Sequence, residues 1–173
     1  MGRRASPWPA ILTGPEQILG ARWPSLFRAA PRPVQQALLA VGRHAPGRSG
    51  SLPAERFDCV ILTQVLQFLA PEQALRNVWA SIAPGGTLLI TVPTLGRLDP
   101  DHQETHFWRW TPGGLAGLLG RVGIPARVAG YGNVLACVAT LWGLSVQDLS
   151  AEELDVNDSC FPLVACAHAD KPA

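Results

Sequence analysis

A chain of 173 residues with 47% hydrophobic and only 16% charged side chains fits one domain with an appended tail, and is too apolar to be a disordered chain. Fourteen Lys and Arg stand against 13 Asp and Glu, so no basic excess can neutralise many phosphates, which excludes an ordinary nucleic-acid binder. The four cysteines, Cys59, Cys137, Cys160 and Cys166, form no CxxC pair and no zinc spacing, and read as free thiols of a reducing, cytoplasmic compartment.

The longest apolar run, Val134 to Val146, spans 13 residues. A crossing helix needs about 20, so no membrane partner is expected. The opening MGRRASPWPAIL is broken by Pro7 and Pro9 and does not read as a signal peptide; Met1-Gly2 reads as a start codon followed by a small residue rather than as an acylation site.

Residues 1–52 carry Pro7, Pro9, Pro15, Pro24, Pro31, Pro33 and Pro46 and predict a Pro-rich leader, mostly irregular, because Pro fixes φ and removes a backbone donor. One helix is expected over 33–41, with Pro33 at its first position, Gly42 as its stop, and Val34, Leu38 and Val41 on one face. From residue 53 to 173 the pattern is that of a partial α/β domain. FDCVILT (57–63) is a near-continuous apolar run of the kind found in strands covered on both faces. Pro71-Glu72 opens a helix to residue 83, with Leu75, Val78, Trp79 and Ile82 at helical spacing, and Pro84-Gly85-Gly86 stops it. TLLITVP (87–93) is a second covered strand, expected parallel to the first, since strand, helix and strand make one βαβ unit. A loop follows from Thr94 to Trp110. Thr111-Pro112 caps a helix to Val122, 126–131 is a third strand, Asn133 to Leu144 an apolar helix, Ser150-Ala-Glu-Glu a capping box, and 161–169 a last strand.

His102 and His106 lie four apart in the polar stretch Asp99 to His106, a spacing that could face two imidazoles to one metal on a helix. Pro100 and the composition favour a loop, and no metal is expected. Gln64 and Gln67 interrupt an apolar run. They read equally as satisfied polar groups at a strand end and as ligand-binding amides. Phe107, Trp108 and Trp110 read first as anchors of the loop to the core, and beside a cleft they also suit acceptor stacking.

Phe57-Asp58, Leu66-Gln67, Pro84-Gly85-Gly86 and Pro93 stand in the order and spacing of the second half of a class I S-adenosylmethionine-dependent methyltransferase, and the chain resembles that family over about residues 53–169. FWRWTPGGLAGLL and YGNVLACVATLWGL resemble a bacterial branch often associated with glycan biosynthesis. The resemblance implies a Rossmann-like, mostly parallel sheet with flanking helices and an antiparallel last strand. It implies S-adenosylmethionine as cofactor, held at the rim after the fourth strand by Thr63, Gln64 and Gln67. It also implies a small-molecule or glycan acceptor near Pro93, His102, Trp108 and Trp110, with His106 as a general base on an acceptor hydroxyl.

In the family a Gly-rich loop after the first strand and an acidic residue on the ribose complete the cofactor site, and both would lie upstream of Phe57. No apolar strand there runs into such a loop, and the segment is short for three βα units when one βαβ unit takes about 30 residues. The expectation is an incomplete domain, truncated at its first strands, whose cofactor affinity falls to about millimolar or weaker. The alternative is a non-catalytic remnant that serves as a binding module and self-associates through an open sheet edge. A nicotinamide oxidoreductase is disfavoured because G-x-G-x-x-G is missing.

Overall fold

The computed structural model describes residues 52–98 and 103–173. The expected leader, its helix at 33–41, and His102 lie outside the described residues. The elements run β1 (Phe57–Thr63), α1 (Pro71–Ser81), β2 (Ile82–Pro93), α2 (Pro112–Arg121), β3 (Arg127–Tyr131), α3 (Val134–Trp142), α4 (Ala151–Asp155) and β4 (Val164–Asp170), with single 3-10 turns at Leu66–Phe68, Gln103–Thr105 and Val146–Asp148. The strands form one sheet in the order β1-β2-β4-β3. β1 and β2 are parallel, with Val60 opposite Leu88 and Thr63 opposite Thr91. β4 enters between β2 and β3 and runs antiparallel to both. The fold is therefore a mixed α/β sheet with flanking helices, parallel but for its last strand.

One face of the sheet carries the main core. Val60 and Leu62 of β1, Leu88, Ile90 and Val92 of β2, and Ala165, Ala167 and Ala169 of β4 alternate onto it. Leu75 and Val78 of α1 and Leu115, Leu118 and Leu119 of α2 close over them. The alanines of β4 leave room for the leucines of α2, which packs on β3 and β4.

α1 ends at Ser81 rather than 83, where Ile82 turns extended, α3 ends at Trp142 rather than 144, where Gly143 turns left-handed, and two strand starts differ by more. The ladder of β2 begins at Ile82 rather than 87, because Ile82 already pairs with Phe57 before the chain loops out through Pro84-Gly85-Gly86 and re-enters at Thr87 opposite Cys59. Gly85 makes that excursion at φ 75, a left-handed conformation that other residues adopt at a cost. β4 begins at Val164 rather than 161, because Leu163 turns its N–H to Tyr131 O and Thr94 donates to Leu163 O, so Phe161 to Leu163 serve as a junction and not as ladder. Lys171, just past β4, donates from Nζ to Ile82 O at 2.7 Å and Trp79 O at 3.3 Å, placing a cation on the carbonyl end of α1.

Candidate cofactor and acceptor site

In open α/β sheets ligands bind beyond the carboxyl ends of the strands. Here that rim is built from the ends of β1 and β2. β1 stops at Thr63 because Gln64 turns into the left-handed region, φ 51, one of two non-glycine residues with positive φ among the described residues. The turn is held on both sides: Gln64 N–H donates to Thr91 O at 3.0 Å, and Gln64 Nε2 to Thr91 Oγ1 at 3.4 Å. Thr91 is fully buried, so the left-handed turn is fixed against the interior of β2. Such backbone costs about 1–3 kcal/mol and persists where the surroundings over-determine it, often at functional sites.

The 3-10 turn Leu66–Phe68 follows, and Gln67 is its bolt. Gln67 Nε2 donates to Gln64 O at 2.9 Å, and Gln67 O accepts Phe107 N–H at 2.9 Å. The side chain is 4% exposed, and its Oε1 has no hydrogen-bond partner among the described residues. A buried amide oxygen left without a donor is a spare acceptor at the rim, since such atoms are ordinarily satisfied.

Segment 103–110 lies over this turn. Trp108 Nε1 donates to Leu69 O at 3.1 Å, and Trp110 N–H to Pro93 O at 3.2 Å. Trp110 is buried and Trp108 exposed, with ring centroids 6.0 Å apart and stacked. One tryptophan thus anchors the segment and the other presents a face to solvent. His106 packs on Phe68, ring centroids 4.6 Å apart. Arg109 Nη1 donates to His106 Nε2 and, at 2.9 Å, to Trp108 O, while Nη2 reaches Arg97 O at 3.2 Å. Desolvation draws the Arg109 guanidinium down from its ordinary pKa.

The structure therefore gathers Thr63, Gln64, Gln67, Pro93, His106, Trp108 and Trp110 into one connected patch, a linkage that no spacing in the sequence displayed. Two members escaped the sequence reading. Thr91 sits inside an apolar strand, where a β-branched residue carries no site signal. Arg109 stands between two tryptophans in FWRW, and a cation between aromatics was the one clue to it. Among the described residues no group of three or more His, Cys, Asp or Glu gathers.

The donor and acceptor set fits the methionine end of S-adenosylmethionine: the spare Gln67 Oε1 suits an ammonium group, and the Gln64 amide a carboxylate. Thr63, Gln64 and Gln67 would hold it. When bound, the cofactor supplies a methyl group on a sulfonium. The chain's own residues then serve to position and to exclude water.

A methyltransferase-domain family model matches residues 25–90, beginning inside the Pro-rich stretch and ending within β2. No curated protein matches the sequence. Among solved structures the chain is similar to an S-adenosylmethionine-dependent methyltransferase from Archaeoglobus fulgidus, at 16% identity and TM-score 0.43, over 70% of this chain and 62% of that one. It is similar to one from Mesorhizobium loti at 16% identity and TM-score 0.45, over 71% and 66%. Haemonchus contortus phosphoethanolamine N-methyltransferase 2, solved in complex with S-adenosyl-L-methionine, is similar at 15% identity and TM-score 0.44, over 70% of this chain and 35% of that one. The chain thus spans less than two thirds of the length of each of these relatives. Family match and sequence pattern coincide from Phe57 to Ile90, on the parallel pair β1 and β2.

Proposed function

We propose that the chain is a methyltransferase that binds S-adenosylmethionine at the rim of β1 and β2 and presents its methyl group to a hydroxyl of a small-molecule or glycan acceptor. The observation that carries this reading is the strained Gln64, pinned to the buried Thr91 beside the spare acceptor of Gln67, at the strand ends where such sheets take ligands. The exposed face of Trp108 suits stacking on a sugar ring.

His106 is the candidate base, with a condition. A guanidinium only donates, so in this arrangement its hydrogen bond occupies the Nε2 lone pair. An acceptor hydroxyl must take the place of Arg109 at Nε2 before His106 can receive its proton.

Calorimetric titration of S-adenosylhomocysteine into the full chain tests the reading. Saturable binding that Gln64→Ala weakens about tenfold, as the loss of one hydrogen bond predicts, supports it. Titration without saturation at millimolar ligand overturns it, and leaves the fold as a non-catalytic association module.

A further inference from the structure

α3 is built inside out. Its inward face carries the small residues Ala136, Cys137 and Ala139, which are buried. Its outward face carries the large ones: Val134, Leu135, Val138, Leu141 and Trp142 are all exposed, Leu141 by 59% and Trp142 by 71%. These positions recur at spacings of three, four and seven, the stripe that one helix offers to another. Tyr131, Leu144 and Phe161 extend the apolar surface beyond both helix ends. Scattered exposed apolar residues are ordinary, but a contiguous stripe of large ones marks an interaction surface.

The charge around the stripe selects the partner. From Val128 to Asp170 the sequence contains no Lys or Arg and six acids: Asp148, Glu152, Glu153, Asp155, Asp158 and Asp170. The acids flank the stripe at both ends. Asn133, the N-cap of α3, donates from Nδ2 to Glu153 O and Val156 O at 2.8 Å each, which brings α4 and its carboxylates to the first turn. Asp148 lies past the last turn, its carboxylate fixed by Ser145 N–H at 2.6 Å. A second copy of this chain would set acid against acid, and an anionic lipid surface or a nucleic acid would be repelled.

We propose that the outer face of α3, with the acids of α4 and Asp148 at its rim, is the docking surface for a cationic amphipathic helix of a partner protein. Apolar anchors of that helix cover Leu135, Val138 and Trp142, and its Lys or Arg side chains meet the acidic rim. The proposal does not rest on the proposed activity.

The test uses the full chain and an amphipathic 18-residue peptide of leucine and lysine, with a leucine and glutamate peptide as control. Expected are saturable binding of the lysine peptide alone, loss of affinity in raised salt, and a blue shift of fluorescence that disappears in Trp142→Phe. Leu141→Ser should weaken binding tenfold or more. Because that change sits on an apolar face, Glu152→Gln with Asp155→Asn, which leaves the stripe intact, provides a second reading and should weaken it several-fold. Failure to bind, equal binding of both peptides, or indifference to both variants overturns the proposal. So does sedimentation as a dimer that Leu141→Ser converts to monomer, which assigns the surface to a second copy. Preferential binding to phosphatidylcholine vesicles assigns it to lipid and likewise overturns it.

Discussion

α2 and α3 follow one another in the chain, and by sequence they are alike. They have 10 and 9 residues, and each starts at a polar cap that accepts the N–H three residues on: Thr111 from Gly114 at 3.0 Å, Asn133 from Ala136 at 2.9 Å. Yet α2 turns Leu115, Leu118 and Leu119 into the core, whereas α3 turns Ala136, Cys137 and Ala139 inward and Leu141 and Trp142 outward. Each is followed by a left-handed glycine: Gly143 at φ 79 is the cap of α3, and Gly123 at φ 76 lies one residue past Val122, the cap of α2. Apolar composition makes a helix that wants cover. It does not say from which side the cover comes.

The contrast is open to direct attack. The largest effect is expected at Leu118→Ala, which removes a fully buried side chain between α2 and the sheet and should destabilise by about 2–5 kcal/mol in urea denaturation. A loss under about 1 kcal/mol would show that α2 is not the core helix. Asn133→Ala comes next. The side chain is 5% exposed, caps α3 and satisfies two carbonyls of the α4 segment, so its removal should cost about 1–3 kcal/mol and loosen α3 and α4 together. Hydrogen exchange should then rise at Ala136 and Cys137 and stay unchanged in α2.

Cys166, buried on β4, gives a smaller and pH-dependent effect. Burial pushes its thiol up to about 12 from an ordinary 9.0. A group with a raised folded-state value contributes its full stability below the unfolded value, and loses it as pH climbs from there towards the folded one. Stability should fall above about pH 9, and Cys166→Ala should lose less between pH 8 and about pH 10.5 than the parent chain does. The smallest effect is expected at Leu141→Ser, within about 0.5 kcal/mol of the parent in the same denaturation. A larger loss would mean that the outer face of α3 already contributes to the fold.

The sequence by itself determined the order and nature of the elements from Phe57 onward, because their signals are local. Covered strands are continuous apolar runs, the Pro84-Gly85-Gly86 stop is a backbone constraint, and the caps at Thr111, Asn133 and Ser150 need only their own following turn. It also named most of the rim, since Gln64 and Gln67 stand out as amides within an apolar run. Only the tertiary structure decided what lies beside what. The placing of β4 between β2 and β3, the pinning of Gln64 to Thr91 and the clasp of Arg109 on His106 join residues from distant parts of the chain. The inside-out helix is the plainest case: sequence periodicity reports that α3 has an apolar face, but that Ala136, Cys137 and Ala139 are the buried side is decided by the tertiary contacts of Asn133 and Cys137 with the segments around Glu153, Val156 and Phe161.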